Sequence, residues 1–482
     1  MTAKQSPAWT IKNYLETRAG RFCVNGVDAT ALAEQFETPL FVFSESRIRD
    51  NVARLRRAET ALRLPLKICY AAKANSNMAI LRAVKNAGAD IETNSGGELF
   101  KALQIGFAPE QIIFNGTSKT ATEHAEAIRA GIYAIQADSV FELEQIEQVA
   151  KHLGKRANVS LRLVPEIETD TMHGLQTAML TSKFGMLSSE VLASFQKYAR
   201  SEFVNLCGIH LHLGSQTPDA APFAEAFLKL FAHLKKIHDE TGVKISHLNL
   251  GGGFPTNYWR DNSNVFNLSA ERQNLFAADL EPATVLSAAM QTVRQAAAQT
   301  GATHLFDNLT ILLEPGRSII ADAGIVLTTV RNRKERPIIQ LQSKIQNSKS
   351  KIPKDIWLLT DAGYNILLSM NNYGWYYHLI SAERADEPHN APYKVAGPLC
   401  DGGDVYFDVE GRNRLPDYRL LPENVSPGEV LALLNAGAYS LAQMFPYNGR
   451  PLPAAVLITT TGDVQPIRKR DSYHSLIDSD VW

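Results

Sequence analysis

Residues 66–75 read LKICYAAKAN, a short apolar run that is followed at once by Lys73. Similar runs recur as far as Glu314 and are separated by longer amphipathic stretches, a pattern typical of strand–helix units around a parallel sheet. The further runs begin at Ala89, Gln111, Tyr133, Asn158, Leu206, His247 and Leu309. Eight such units predict an α/β fold with a closed (β/α)8 barrel, and an open doubly wound sheet is the alternative.

Polar residues at the predicted strand ends favour the barrel over the open sheet. They are Lys73, Glu92, Arg162, His212, Gly251 to Gly253 and Glu314. Because the carboxyl ends of barrel strands surround a single active site, we expect these residues to form one ring.

The hydrophobic pattern changes after Gly324, and helical periodicity is no longer seen. Short alternating runs between Gly, Pro, Asn and Asp clusters predict a C-terminal antiparallel β domain. The N-terminal runs FCVNGVD and TPLFVFS are also extended and are expected to join it. The predicted domains are residues 1–40, a segment of the β domain; 41–325, the barrel; and 326–482, the C-terminal β domain. Residues 258–282 and 331–355 are expected to be surface insertions.

Composition limits the classes of partner. Lys plus Arg number 49 and Asp plus Glu number 50, so no net field would recruit nucleic acid or an anionic membrane. No apolar run is long enough to cross a bilayer, and no export signal is recognised at the N-terminus. The four cysteines are too widely spaced for a zinc site or a disulfide framework. We expect a cytoplasmic protein that acts on a small molecule, with no nucleic-acid or membrane partner.

Several motifs suit chemistry, although each has an ordinary structural explanation. Lys73 is either a solvated rim lysine or an amine able to form an imine with a carbonyl cofactor. The glycine run in LNLGGGFP follows the seventh strand, where phosphate binding is favoured over a simple tight turn. His210 and His212 share a strand face, but no nearby acid or cysteine completes a metal site, and no metal is predicted. Cys400 is equally consistent with an inert and a reactive loop cysteine.

Together these segments resemble the fold type III pyridoxal 5′-phosphate decarboxylases, which include diaminopimelate, ornithine, arginine and carboxynorspermidine decarboxylases. The ordered motifs are YAAKAN, SGGELFKAL, SKFG, HLHLGSQ, LGGGFP, EPGR, DAGYN, GPLCDGGD and GAYS, and they span nearly the whole chain. The resemblance implies an alanine-racemase-like barrel with a β domain and carboxy-lyase activity on a small amino acid. It also implies a homodimer with shared active sites, in which the second subunit supplies the Cys400 loop.

The resemblance implies roles for individual residues by their matching positions. The residues at the cofactor would be Lys73 as the Schiff-base lysine, Glu92 beside it, Arg162 near the phenol oxygen, His212 on the ring, Glu314 at the pyridine nitrogen, and Ser215, Gly251, Gly252, Gly253, Gly316, Arg317 and Tyr439 around the phosphate. At the substrate, the matching positions are Arg317 and Tyr439. Asp401 is also expected there, because it directly follows the proposed proton donor and can pair with a distal ammonium, as is Tyr364 of the aromatic stretch. The catalytic residues would be Lys73, His212, Glu314 and the proton donor Cys400. Racemases of this fold have an arginine where Glu314 stands, so Glu314 favours decarboxylation.

The chain also departs from the diaminopimelate decarboxylase pattern. Those enzymes usually carry Cys-Glu-Ser in the loop and an arginine soon after the DAG motif, whereas this chain has Cys400, Asp401 and Gly402 and no arginine between Asp361 and His378. DAGY, the following aromatic stretch and KRDSY look closer to the D-ornithine/D-lysine decarboxylase branch and to siderophore-pathway relatives. The expected substrate is therefore a basic or diamino acid, either lysine-like or ornithine-like and of either handedness, or a siderophore precursor. Diaminopimelate is the alternative substrate, and a pyridoxal-phosphate-binding or regulatory homologue without turnover is the alternative from another class.

Overall fold

The computed structural model describes residues 7–172, 179, 181–260, 268–338 and 354–481. They form two compact units. The β unit comprises Met1–Arg47, Asn257–Ala277 and Ala321–Trp482, and the barrel unit comprises Ile48–Thr256 and Ala278–Ile320. The domain limits predicted from the sequence stay a prediction that limited proteolysis would test.

The elements below are those of the described residues. The strands are β1 (Leu15–Arg18), β2 (Arg21–Val24), β3 (Val27–Asp28), β4 (Leu40–Ser44), β5 (Leu66–Ala71), β6 (Asp90–Thr93), β7 (Ile112–Phe114), β8 (Ala134–Ala137), β9 (Ala157–Arg162), β10 (Val204–His210), β11 (His247–Asn249), β12 (Thr310–Leu313), β13 (Gly324–Pro337), β14 (Lys354–Thr360), β15 (Leu379–Ser381), β16 (Ala391–Ala396), β17 (Arg419–Leu421), β18 (Val430–Leu433), β19 (Ala454–Ile458) and β20 (Val464–Arg468). The helices are α1 (Ala29–Phe36), α2 (Glu45–Arg56), α3 (Ala58–Leu62), α4 (Met78–Asn86), α5 (Gly96–Ile105), α6 (Ala121–Ala130), α7 (Val140–Leu153), α8 (Ser188–Tyr198), α9 (Ala221–Thr241), α10 (Ala270–Ala277), α11 (Pro282–Gln299), α12 (Arg317–Ile320) and α13 (Leu368–Tyr373).

The barrel unit contains a closed barrel of β5 to β12 in sequence order. Every neighbouring pair is parallel, and β12 closes the ring on β5 with Ile311 opposite Leu66. The predicted (β/α)8 barrel is confirmed, and the open sheet is excluded. All eight predicted strands are present, because short apolar runs bounded by polar residues cannot bury themselves as helices of useful length.

Each of the first four barrel strands leads into a helix with a defined start. The side chains of Asn77, Ser95, Thr120 and Ser139 accept backbone N–H bonds at the beginnings of α4, α5, α6 and α7. Such caps satisfy amides that have no partner inside the helix. The turns that follow the strands are therefore fixed, and so are the side chains placed on them.

The β unit is built on a sheet in the order β17-β16-β14-β13-β4-β19-β20, with β18 also paired to β13 and β15. The predicted β domain is confirmed and is mainly antiparallel, although β4 with β19 and β14 with β16 are parallel pairs. The predicted N-terminal run TPLFVFS supplies β4, which lies between β13 and β19. No described helix is long and apolar enough to span a membrane.

The segment 258–282 is not a surface insertion where the structure describes it. Tyr258 and Phe276 are completely buried, and the Tyr258 ring packs edge-on against Trp375 at a centroid distance of 5.2 Å. The prediction was wrong because these aromatic side chains cover others that lie far away in sequence. Residues 261–267 lie outside the described residues, as do residues 339–353 of the second predicted insertion.

Candidate active site

Lys73 and Glu92 lie at the carboxyl ends of two neighbouring barrel strands. Lys73 follows β5 directly, and its Nζ is 3.9 Å from Oε1 of Glu92 on β6. The lysine side chain is 40% exposed, whereas that of Glu92 is fully buried. Burial raises the pKa of Glu92 to about 7, although the Lys73 cation opposes this shift. Lys73 can thus reach a ligand while Glu92 exchanges a proton near neutral pH.

Glu314 is a buried carboxylate surrounded by donors. Its Oε1 accepts hydrogen bonds from Gln136 Nε2 at 2.5 Å and Asn249 Nδ2 at 2.8 Å. His210 Nε2 lies 3.4 Å from Oε2. Burial alone would raise the pKa of Glu314, but His210 and Lys73 hold it below its ordinary value. The carboxylate therefore stays negative and can pair with a cationic ring nitrogen.

Sequence reasoning identified Glu314 but not the amides that hold it. Gln136 lies on β8 and Asn249 ends β11, so both occupy the same edge of the barrel as the predicted residues. His210, which ends β10, was considered only as a metal ligand. The sequence signal that could have identified these residues is a polar residue at the end of an apolar strand. The same signal identified Lys73 and Glu314.

His212 is a neutral imidazole in a fixed orientation. Its Nδ1 accepts a hydrogen bond from the Gly252 N–H at 3.0 Å. Burial lowers the pKa of His212 well below its ordinary value, and the Lys73 and Arg162 charges act in the same direction. The ring is therefore suited to lie against a planar cofactor without adding charge.

The glycine run is required by close contacts. A Cβ on Gly251 would lie 2.6 Å from His212 Nδ1, and one on Gly252 would lie 2.5 Å from the Glu314 carbonyl oxygen. Gly253 has a φ of +108°, which disfavours other residues. Its amide N–H donates to no group in the described part of the chain.

An anion site adjoins this run. Arg317 donates from Nε to Ser215 Oγ at 3.1 Å. The amide N–H of Gly316 likewise has no acceptor among the described residues. A guanidinium group, a hydroxyl and backbone amides are groups that bind phosphate. The barrel unit therefore fits pyridoxal phosphate with an amine, an anionic carboxylate, a neutral imidazole and an anion cradle.

Arg162 completes the predicted ring at the end of β9. The guanidinium lies 4.2 Å above the Phe184 ring, and Nη1 lies 3.5 Å from Asp138 Oδ1. Asp138 comes directly after β8. The structure thus brings every predicted strand-end residue of the barrel to one edge.

The remaining predicted residues belong to the β unit. Of the four cysteines, Cys400 alone is exposed, and its backbone N–H donates to Asn448 Oδ1 at 2.7 Å. Tyr364 donates from its hydroxyl to Asp401 Oδ2 at 2.8 Å. Tyr439 has a φ of 55°, a conformation that non-glycine residues adopt rarely and often at functional sites.

Comparison with known families identifies this arrangement. The family described as pyridoxal-dependent decarboxylase, pyridoxal binding domain, matches residues 48–321. The chain belongs to the pyridoxal-dependent decarboxylases.

Relatives match the chain over its full length. The diaminopimelate decarboxylase of Methanocaldococcus jannaschii is 33% identical over 473 residues, covering 97% of this chain and 96% of the relative. That of Bacillus subtilis is 30% identical over 469 residues, covering 97% and 96%. The crystal structure of the M. jannaschii enzyme in complex with L-lysine aligns with a TM-score of 0.80 at 31% identity, covering 98% of this chain and 99% of that one.

Family membership confirms three predictions made from the sequence. The protein is a carboxy-lyase, its cofactor is pyridoxal phosphate, and its substrate is an amino acid. The predicted similarity to the D-ornithine/D-lysine decarboxylase branch was wrong, because these relatives are named diaminopimelate decarboxylases. The motif differences on which that expectation rested are confined to the β unit, whereas the identity extends over the whole chain.

Proposed function

We propose that this decarboxylase acts on meso-diaminopimelate. The observation that carries the proposal is the 33% identity over 473 residues to an enzyme named for that substrate. L-lysine, the ligand in one of the related structures, is what remains of diaminopimelate after one carboxyl group is lost. The alternative expected from the sequence thus becomes the main proposal.

No arginine closely follows the DAG motif, but the segment 258–282 contains one that contacts the aromatic stretch. Arg272 on α10 donates from Nη1 to the Tyr373 carbonyl at 3.0 Å. Tyr373 belongs to the aromatic stretch in which the sequence lacks an arginine. We propose that Arg272 provides the positive charge for the distal carboxylate.

The roles proposed for the barrel residues follow from their surroundings. Lys73 would hold the cofactor through its amine, and Glu92 beside it would take up or release a proton at that nitrogen. Glu314 holds the ring nitrogen in its cationic form, while His212 supports the ring face. Bound pyridoxal phosphate supplies the electron sink for the charge left when carbon dioxide departs.

The remaining roles concern the phosphate, the substrate and the final proton. Ser215, Gly251 to Gly253, Gly316 and Arg317 would bind the phosphate group, and Arg162 would interact with the phenol oxygen. Tyr439 adjoins the phosphate and substrate, and Tyr364 orients Asp401 toward the distal ammonium of the substrate. Cys400 donates the proton that replaces carbon dioxide.

A lysine-like or ornithine-like amino acid, of D or L form, is the second candidate substrate. The observation in its favour is the Tyr364–Asp401 hydrogen bond, which holds an exposed carboxylate suited to a distal ammonium. A second carboxylate placed beside Asp401 without a cation would be disfavoured by like-charge repulsion.

Carbon dioxide release distinguishes the two candidates. The purified holoenzyme should be assayed with meso-diaminopimelate and with both enantiomers of lysine, ornithine and arginine. The highest kcat/KM is expected with meso-diaminopimelate. A higher value with any of the monocarboxylate substrates would replace the proposal by the second candidate.

A further inference from the structure

A cleft of about 600 Å³ in the β unit is not used by the proposed reaction. Its apolar wall includes Pro39, Ile366, Pro451 and Pro453, and three arginines also line it. Small-molecule sites are commonly concave, largely apolar and of this size, with a few charged groups that fix the ligand.

The three arginines differ in their partners. Arg331 is neutralised by Asp361, with Nη2 and Oδ2 separated by 2.7 Å. Arg450 donates to the Pro398 carbonyl at 2.8 Å, and the described residues place no carboxylate within ion-pair distance of it. Arg470 donates to three backbone carbonyls, one of them at 2.8 Å.

Carboxylates near the cleft do little to offset Arg450 and Arg470. Glu37 lies 3.7 Å from Arg470, but its side chain is 79% exposed and such pairs are weak. Asp471 lines the cleft and is bound by Arg468 at 2.6 Å. Asp404 also interacts with Arg450, and Asp361 with Arg470, but Asp404 accepts two backbone N–H bonds and Asp361 is paired with Arg331. Two guanidinium groups therefore line one cleft without a strong ion pair of their own among the described residues.

We propose that this cleft binds a small organic acid. The carboxylate of the ligand pairs with Arg450 and Arg470, since guanidinium groups bind carboxylates through paired hydrogen bonds. The hydrocarbon part lies against the prolines, which offer no competing donors.

The cleft is connected to the loop that carries Cys400. Arg450 holds the Pro398 carbonyl, and the next residue, Leu399, donates its N–H to Asp404 at 2.8 Å. Cys400 follows and is held by Asn448, two residues before Arg450. An acid bound at Arg450 therefore alters the position of the Cys400 loop. This regulatory consequence rests on the proposed role of Cys400, whereas the binding site does not.

Calorimetry on the pyridoxal-phosphate-loaded protein tests the binding without turnover. The probes are hexanoate, glutarate and inorganic phosphate, each titrated separately. Saturable binding of at least one organic acid is expected, and Arg450→Gln and Arg470→Gln should each raise its dissociation constant about tenfold. The control is Arg412→Gln, because Arg412 is an exposed arginine of the same unit that does not line the cleft.

Hydrogen exchange locates the bound acid. Protection of residues 398–404 is expected, and it should disappear in Arg450→Gln. Organic-acid binding that survives both cleft substitutions, binding of phosphate alone, or no saturable binding of any probe would each overturn the proposal. Because no substrate is present, these results are independent of which amino acid the enzyme decarboxylates.

Discussion

Protonation of the buried Glu92 carboxyl group should change the free energy of unfolding with pH. Its pKa rises from 4.5 to about 7 in the folded protein, chiefly through burial. Between these values the folded protein keeps a proton that the unfolded chain has released. The stabilisation by this proton is fully present below pH 4.5. The free energy of unfolding then falls by up to about 3 kcal/mol as pH rises from 4.5 through the folded pKa of about 7.

The matched variant for this prediction is Glu92→Gln, which cannot titrate. Urea unfolding of the cofactor-free protein should show the wild type losing stability relative to the variant between about pH 5 and about pH 8. A constant difference across this range would mean that Glu92 is charged throughout.

Substitutions of Arg272 and Asp401 should show which residue recognises the distal carboxylate and which the distal ammonium of the substrate. Arg272→Gln is expected to lower kcat/KM roughly tenfold on meso-diaminopimelate and to leave lysine-type substrates unaffected, because only the former has a distal carboxylate. Asp401→Asn should lower kcat/KM on both, since both carry a distal ammonium. The measurement is initial-rate kinetics with Arg412→Gln as control. Equal losses on all substrates from Arg272→Gln would assign it a purely structural role.

The sequence predicted charged residues of the site more readily than neutral ones. Lys73 and Glu314 stood out because a charged residue rarely ends an apolar strand without a reason. Gln136 and Asn249 did not, because amides at strand ends are common and gain meaning only when a carboxylate faces them. Their role depends on the closure of the barrel, which brings β8 and β11 toward Glu314.

A buried ion pair ties two strands and a helix together beneath the site. Lys119 Nζ lies 2.7 Å from Glu142 Oε1, and both side chains are almost fully buried. The same amine donates to the carbonyl of Gly116, two residues after β7, and to that of Gln136 on β8. The other Glu142 oxygen accepts the Asp138 N–H at 2.8 Å. The pair therefore fixes the end of β8, which carries Gln136, and the turn after it, which carries Asp138. These two residues are the partners of Glu314 and Arg162.

Removing one member of this pair should be costly. Lys119→Met leaves Glu142 buried without its cation and should destabilise the protein by about 3–5 kcal/mol. The double variant Lys119→Met/Glu142→Leu should recover part of that loss, because it leaves no lone charge. Urea denaturation of the three proteins measures the difference. A double variant less stable than Lys119→Met would contradict this account.

At the level of elements, the barrel was predictable and the segment 258–282 was not. The strand runs can be recognised from local sequence, since each is a short apolar run, and the first four are followed by a capped helix. Tyr258 and Phe276 are buried by Trp375, which lies about a hundred residues further along the chain. No local pattern encodes such a contact, so a segment rich in polar residues gave the wrong impression of exposure.

At the scale of the whole molecule, the resemblance implies a homodimer with shared sites. Mixing Lys73→Ala with Cys400→Ala should then restore about a quarter of wild-type activity, since half of randomly exchanged dimers would carry one complete site. Each variant alone should be nearly inactive. The measurement is carbon dioxide release after subunit exchange has been verified by differently tagged chains. An inactive mixture would argue that each chain works with its own Cys400.

The central claim is that Lys73 holds the cofactor of this decarboxylase. Borohydride reduction of the holoenzyme, followed by digestion and mass spectrometry, locates the attached pyridoxyl group directly. The pyridoxyl group is expected on Lys73 within the sequence YAAKAN, and Lys73→Ala should carry none. A pyridoxyl group on another lysine, or equal labelling of Lys73→Ala, would contradict it.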